Sequence, residues 1–221
     1  MDQLKPKREY RSVRRQEQAR QTRLRIIMAA RMVFIERGYT GTSIDAIAQE
    51  AGVAVETAYA IFKNKRSILS ALVDVSVVGD DLPVPLLDRP NIQAARQETD
   101  QRRLIHTFAA DIGIIMGRMA PVFALLRSAA QTEPEIATML DKLLKDRMHG
   151  MAYFVEQLAR IGRLRDGLEA KQAAETVWAV SSAEVFQLFT TDLLWTNEQF
   201  INWLEDSLIQ LLLKEQEMHL K

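Results

Sequence analysis

SIDAIAQEAGVAVETAYAIF, residues 43–62, sets two short helical patterns on either side of one glycine. Ile44, Ile47, Ala48 and Ala51 recur at i, i+3, i+4 and i+7, the spacing of a single helix face. Just upstream, Thr42 and Asp45 fit the T-x-x-D form of a capping box. Gly52 permits a sharp turn, because it takes backbone angles that side chains oppose. Ala48 and Ala51 are small enough to let a second helix cross closely, and Val53, Ala58 and Phe62 fill the gap between the two. The outward residues are then Glu56, Thr57, Tyr59, Ala60 and Lys63, with Val55 opening the second helix. A helix pair of this kind fits the DNA major groove, where the exposed N-terminal residues of its second helix meet base edges. Lys63 and Lys65 suit phosphates at its end. Thr42 and the backbone at the start of the first helix suit another. A purely structural helical hairpin has the same local pattern.

Upstream, Leu24, Ile27, Met28, Ala30, Phe34 and Ile35 make one apolar stripe, and Gly38 closes that helix. Downstream, Ile68, Leu69, Leu72, Val73 and Val75 carry a fourth helix that fades at Gly79. Residues 79–90, GDDLPVPLLDRP, hold three prolines and break the pattern. A short helical piece is expected over 91–98. Longer helices are expected near 100–118, 121–131, 134–161, 171–192 and 197–217, with Pro121 and Pro134 at helix starts. No period-2 strand pattern and no internal repeat occur, so the fold class is all-α. The division expected is a basic, flexible arm (1–20), a helix-turn-helix domain (21–66) and a helical effector-binding and dimerisation domain (67–221), with helix 67–78 joining the last two.

The net charge is zero, with 29 basic and 29 acidic side chains. Residues 1–66 nevertheless hold 14 basic against 7 acidic residues. An excess of that sign in one part of a chain suits a polyanion. The arginines at 8, 11, 14, 15, 20 and 23 leave two readings open: an arm along the phosphates or minor groove, or a solvated tail. No cysteine is present, which excludes disulfide frameworks and thiolate metal sites. No secretory leader pattern and no continuous apolar run of membrane-spanning length are read, so a cytoplasmic protein without a membrane partner is expected.

The order of parts is distinctive. FIERGYTGTSIDAIAQEAGVAVETAYAIFKNKRSIL, residues 34–69, resembles the amino-terminal signature of the TetR family of bacterial transcription regulators. The resemblance covers about residues 22–75. It implies a homodimer with two three-helix DNA-binding heads on an all-α body that binds a small molecule. It also implies roles: Thr42 and Ser43 start the second helix against phosphate, Thr57 and Tyr59 lie on the recognition helix, and Lys65 caps its end on the backbone. Two positions depart from the family pattern. Ala54 stands where a capping Ser is common, and Ala60 and Ile61 stand where longer polar or aromatic side chains are common.

In the body, SLIQLLL (207–213) is apolar almost all round. Such a helix needs cover on two sides. Phe189, Leu193, Leu204, Leu208, Leu211 and Leu212 are the expected dimer-interface residues, in a four-helix arrangement about a two-fold axis. The alternative is a monomer with a deeply buried last helix. Expected effector-pocket residues are His106, Met116, Phe123, Arg127, Met139, Tyr153, Trp178 and Phe186, for a hydrophobic or amphipathic molecule.

No enzyme is expected. The histidines are His106, His149 and His219; Asp146 and His149 make one half of a di-iron pattern without the other. Nucleophile-elbow and phosphate-loop motifs are absent, and no metal or cofactor is expected. The expected function is a ligand-responsive regulator, a repressor binding a palindromic operator as a dimer. The runner-up is an all-α small-molecule-binding protein without sequence-specific DNA binding.

Overall fold

The computed structural model describes residues 6–80 and 90–214, with side chains from Arg14 onward except at 90–92 and 94. Residues 1–5, most of the Pro-rich break and the terminal segment with His219 lie outside the described residues, as do the side chains of Arg8 and Arg11. Among the described residues ten α-helices follow in order: α1 Pro6–Arg37, α2 Ile44–Ala51, α3 Val55–Ile61, α4 Lys65–Val78, α5 Pro90–Gln97, α6 Gln101–Ala129, α7 Pro134–Ile161, α8 Ala170–Val180, α9 Ala183–Gln187 and α10 Asn197–Leu212. No strand occurs among the described residues, only an isolated antiparallel bridge between Leu164 and Leu213.

The first three helices form the head, closed by α4, which runs from it into the body. α1 packs on α2 and α4, and α2 crosses α3. Phe34, Ile47, Ala58 and Leu69 are fully closed to solvent at their common centre. Burying each of the large apolar ones contributes roughly 1.5–3 kcal/mol. The α1 stripe is narrower than its spacing suggested: Ile27, Ala30 and Phe34 are buried, while Met28 and Ile35 are about half exposed. α1 also reaches back to Pro6, so residues 6–20 are helical. At 32 residues it is about 48 Å long, from the 1.5 Å rise per residue.

The body is built around α6, which packs on α4, α7, α9 and α10, while α7 packs on α8. α6 is one helix, where two were expected. Pro121 lies inside it, not at a start. Its ring removes one backbone hydrogen bond, and the apolar neighbours Met119, Ala120, Val122 and Phe123, all buried, hold the turn in place. α6 is long and apolar enough to cross a membrane by length and composition, although Asp111 and Arg118 interrupt its apolar run. More than half of its apolar window is buried inside the protein.

The helix expected over 171–192 is also divided. Ser181 ends α8 and Ser182 caps α9, accepting from the Val185 N–H at 3.3 Å. A wider π-type turn, Leu188–Asp192, follows. α10 ends at Leu212, short of the expected 217, and the Arg165 N–H donates to the Leu212 carbonyl at 2.8 Å.

Candidate nucleic-acid interface and an internal cavity

Gly52 makes the turn between α2 and α3. It is left-handed (φ 61°, ψ 41°), and its N–H closes the end of α2 on Ala48 and Gln49 carbonyls. α2 is capped by Ser43, whose hydroxyl accepts from the Ala46 N–H at 3.1 Å. The capping role expected of Thr42 therefore falls one residue later. Thr42 is buried, and its hydroxyl donates to the Gly38 carbonyl at 2.7 Å. It knits the turn and is turned away from any phosphate, whereas Ser43 is exposed at the helix start.

α3 has no side-chain cap, because Ala54 occupies that position in the extended conformation a cap needs. Ala58 is buried against the core, and Phe62 closes the helix end. The exposed face presents Glu56, Tyr59 and Ala60, with Val55 and Thr57 half-buried beside them and Lys63 exposed just beyond. Tyr59 is 50% exposed, a large aromatic held in water with no aromatic neighbour among the described residues.

Lys65 departs from its expected phosphate role. Its Nζ donates to the Tyr39 carbonyl at 2.6 Å and the Thr42 carbonyl at 2.9 Å, and lies 4.2 Å from the Tyr39 ring centroid. Burial pulls its pKa below the usual lysine range, and the nearby Glu133 partly offsets that. Lys65 is thus committed to the loop between α1 and α2. It starts α4 behind Asn64, whose capping box with Ser67 is complete.

The body contains a cavity of about 380 Å³ between the end of α4, α5, α6 and α7. Phe108 and Phe154 stack within it at 3.9 Å between centroids. Leu104, Ile112, Ile115 and Met151 add apolar wall. The polar lining is Thr107, Asp111, Arg118, Gln157 and the pair Arg96–Tyr153, in which the arginine Nε donates to the phenol oxygen at 2.9 Å.

Of the eight pocket residues expected from sequence, only Tyr153 lines this cavity. Met116, Phe123 and Phe186 are buried core, and Phe186 meets Phe200 edge-on. Met139 is half-buried against the core. His106 is exposed, with Nδ1 2.7 Å from Glu205 Oε2. Arg127 is exposed and paired with Glu184 at 2.5 Å. Trp178 packs under Arg147, whose guanidinium sits 5.0 Å from the ring and donates to the Trp178 carbonyl and Ser181 hydroxyl. Burial draws that guanidinium's pKa down to about 10, so it stays charged at neutral pH. Asp146 and His149 are both exposed, and Asp146 is paired with Lys142.

The dimer-interface expectation divides as well. Leu204, Leu208 and Leu212 are fully buried by their own chain, so they fill its core instead of facing outward. Leu211 is half-buried, and Phe189 packs among Trp195, Phe200 and Trp203. Leu193 remains outward at 60% exposure, beside Leu188 at 56% and Leu194 at 82%.

The family model described as bacterial regulatory proteins, tetR family, matches residues 26–72, the span of the head. The head matches the TetR family. The match ends before the body, whose kinship rests on longer and weaker similarities. A transcriptional repressor of Brucella suis biovar 1 (strain 1330), BepR, is 27% identical over 175 residues, 78% of this chain and 80% of that protein. The fatty acid metabolism regulator protein of Bacillus subtilis (strain 168) is 23% identical over 162 residues, 73% and 80% of the two chains. The solved structure of the Bacillus subtilis transcriptional regulator FadR with stearoyl-CoA superposes with a TM-score of 0.65 at 21% identity, covering 84% of this chain and 97% of that one. At that identity the likeness is one of fold.

Proposed function

We propose that this chain is a ligand-responsive transcriptional repressor of the TetR family that binds a palindromic DNA operator as a homodimer in the cytoplasm. The observation that carries the reading is α3: a short helix set by a left-handed glycine, with Thr57, Tyr59 and Ala60 outward and Lys63 at its end. Residues 21–66 act as the head and 67–221 as the body, with α4 reaching from one into the other. Ser43, Tyr59 and Lys63 meet phosphates, and Val55, Glu56, Thr57 and Ala60 lie nearest the base edges. Ala60 suits the methyl of a thymine. The exposed Leu188–Leu193–Leu194 edge next to α10 is the candidate surface for a second copy, with Phe189 and Leu211 behind it.

The effector site is the cavity between α4, α5, α6 and α7. Its volume suits a small molecule. Stacked Phe108 and Phe154 with Ile112 and Ile115 favour an apolar body, and Asp111, Arg118 and the Arg96–Tyr153 pair favour one polar end. The ligand class is therefore hydrophobic or amphipathic. Arg118 lines the cavity and also donates to the Ser76 and Val77 carbonyls at the end of α4, at 2.9 and 3.1 Å. A molecule that moves Arg118 moves the last turn of α4, and with it the head.

The test is selection of source-genome fragments by the purified protein, followed by sequencing, then release of the enriched fragment by a small-molecule library. Enrichment of one imperfect palindrome, released by apolar or amphipathic compounds, supports the reading. Absence of enrichment by folded, dimeric protein refutes operator binding and leaves the small-molecule-binding alternative.

A further inference from the structure

The charged groups of the cavity are not equivalent. Arg118 is committed to the Ser76 and Val77 carbonyls. Asp111, the one acidic side chain of the described lining, already has a partner. Arg96 differs from both. Its Nε donates to the Tyr153 phenol oxygen at 2.9 Å, and its Nη groups make no hydrogen bond or ion pair among the described residues. The acidic residue nearest to it in sequence, Glu98, is turned to the N–H groups of Thr99 and Asp100, at 2.8 and 3.0 Å. A half-buried guanidinium thus lines the cavity with donors to spare.

The sequence of α7 supports it. Tyr153, Gln157 and Arg160 recur at i, i+4 and i+7, one helix face. Tyr153 and Gln157 line the cavity. Arg160 reaches with Nη2 to the Arg96 carbonyl at 2.8 Å, which ties α5 to α7 and brings a second guanidinium to this end. The Gln101 carboxamide donates to the Leu158 carbonyl at 2.9 Å and holds the start of α6 to the same stretch. Arg96 and Gln157 share the cavity with the apolar Leu104, Phe108, Ile112 and Phe154.

We propose that the cavity selects an amphipathic anion: a monocarboxylate whose apolar body lies along the Phe108–Phe154 stack and whose carboxylate is bound by the Nη groups of Arg96. The proposal rests on this cavity being the effector site, and names the charge of its ligand. Arginine presents parallel N–H groups that match a carboxylate. A neutral or cationic molecule of the same shape leaves that guanidinium unpaired. Arg96 and Arg118 against Asp111 set the same preference over the described lining as a whole. Tyr153 is a positioning residue: its oxygen holds Arg96 Nε, and its ring centroid lies 5.7 Å from the guanidinium carbon.

The experiment is calorimetric titration of the full-length chain with decanoate, decanol and decyltrimethylammonium, probes that share one apolar tail. Decanoate is expected to bind at least about ten-fold more tightly than either of the others. Arg96→Leu should remove that margin while changing decanol affinity by less than about two-fold, and Arg96→Lys should keep part of the margin. Tyr153→Phe should narrow the margin and leave decanol unchanged. Ile115→Trp and Gly150→Trp add bulk at the cavity wall, where a Cβ on Gly150 meets nothing within 4 Å, and each should block every probe. Circular dichroism checks that each variant is folded. Decanol or the ammonium probe matching decanoate, or a margin that survives Arg96→Leu, overturns the anion assignment; if the filled-cavity variants still block binding, the effector site itself stands. Binding of no probe, or binding unaffected by both filled-cavity variants, overturns the effector-site reading and the proposal with it.

Discussion

Arg31 on α1 donates from Nη1 to the carbonyl oxygen of Arg118 on α6 at 2.7 Å, a direct bond between head and body. The Arg118 side chain reaches α4 in turn, and it lines the cavity. Three parts of the molecule that must communicate in a ligand-responsive regulator thus meet at one residue. Charge-assisted hydrogen bonds contribute about 1.5–3 kcal/mol each when their loss strands a partner. Arg118→Ala is expected to lower the melting temperature by about 4–10 °C for a chain of this size. Thermal unfolding followed by circular dichroism checks it. A shift below one degree would remove Arg118 from the link between body and α4.

The two lysines flanking Asn64 should separate cleanly. Lys63 is exposed and has no partner among the described residues, whereas Lys65 is bound to two carbonyls and a ring. Lys63→Ala should leave stability within about 0.5 kcal/mol of wild type and reduce the salt slope of DNA binding by about one. Lys65→Met should cost about 1.5–3 kcal/mol in stability. Denaturant unfolding and salt-resolved DNA titration distinguish them, and the reverse pattern would contradict these assignments.

Lys65 also has a pH signature. Its folded pKa is depressed by burial, so between that value and the ordinary lysine value near 10.4 the unfolded chain binds more protons than the folded one. Stability from this group therefore rises with pH through that window, and the cost is fully present below it. The difference in unfolding free energy between wild type and Lys65→Met, followed from pH 7 to 11, should widen in favour of wild type. A difference that stays flat or narrows contradicts the desolvation of Lys65.

Ala54→Ser should stabilise the head. Ala54 already has cap geometry (φ −64°, ψ 144°) and lacks only the acceptor. The gain expected is about 1 kcal/mol, or about 2–4 °C in melting temperature. Gly52→Ala should act oppositely, costing about 1–2 kcal/mol. A Cβ there meets nothing within 4 Å, so the cost is that of the left-handed backbone alone. Calorimetry on both variants checks the pair.

What the sequence discloses depends on how local the signal is. The head is local: Gly38, Gly52 and Gly79 punctuate it, and its short helices lie within about two residues of their spacing pattern. The hydroxyl pair Thr42–Ser43 was not resolved, because either residue can cap α2 and only the burial of Thr42 decides. Pro121 read as a helix start, since its tolerated and its mid-helix positions look alike without knowing what packs around it. The divide at Ser181–Ser182 was hidden by apolar residues continuing on both sides. The cavity had no signature at all. Its lining comes from four helices, and Phe108, Ile112 and Phe154 look in sequence like any core residues. The buried Leu204, Leu208 and Leu212 misled for a related reason: an apolar stripe says that something covers it, not whether the cover belongs to the same chain.

The most direct measurement of the central claim is the affinity of the purified chain for its genome-selected fragment and for a scrambled duplex at one physiological salt concentration, with Thr57→Ala and Tyr59→Ala alongside. The account predicts that wild type prefers the selected fragment by at least about 10³-fold, the lower end for specific DNA-binding proteins. It also predicts that Thr57→Ala narrows the preference and that Tyr59→Ala weakens both duplexes. Equal affinity of folded wild type for both duplexes would contradict the recognition-helix assignment of α3.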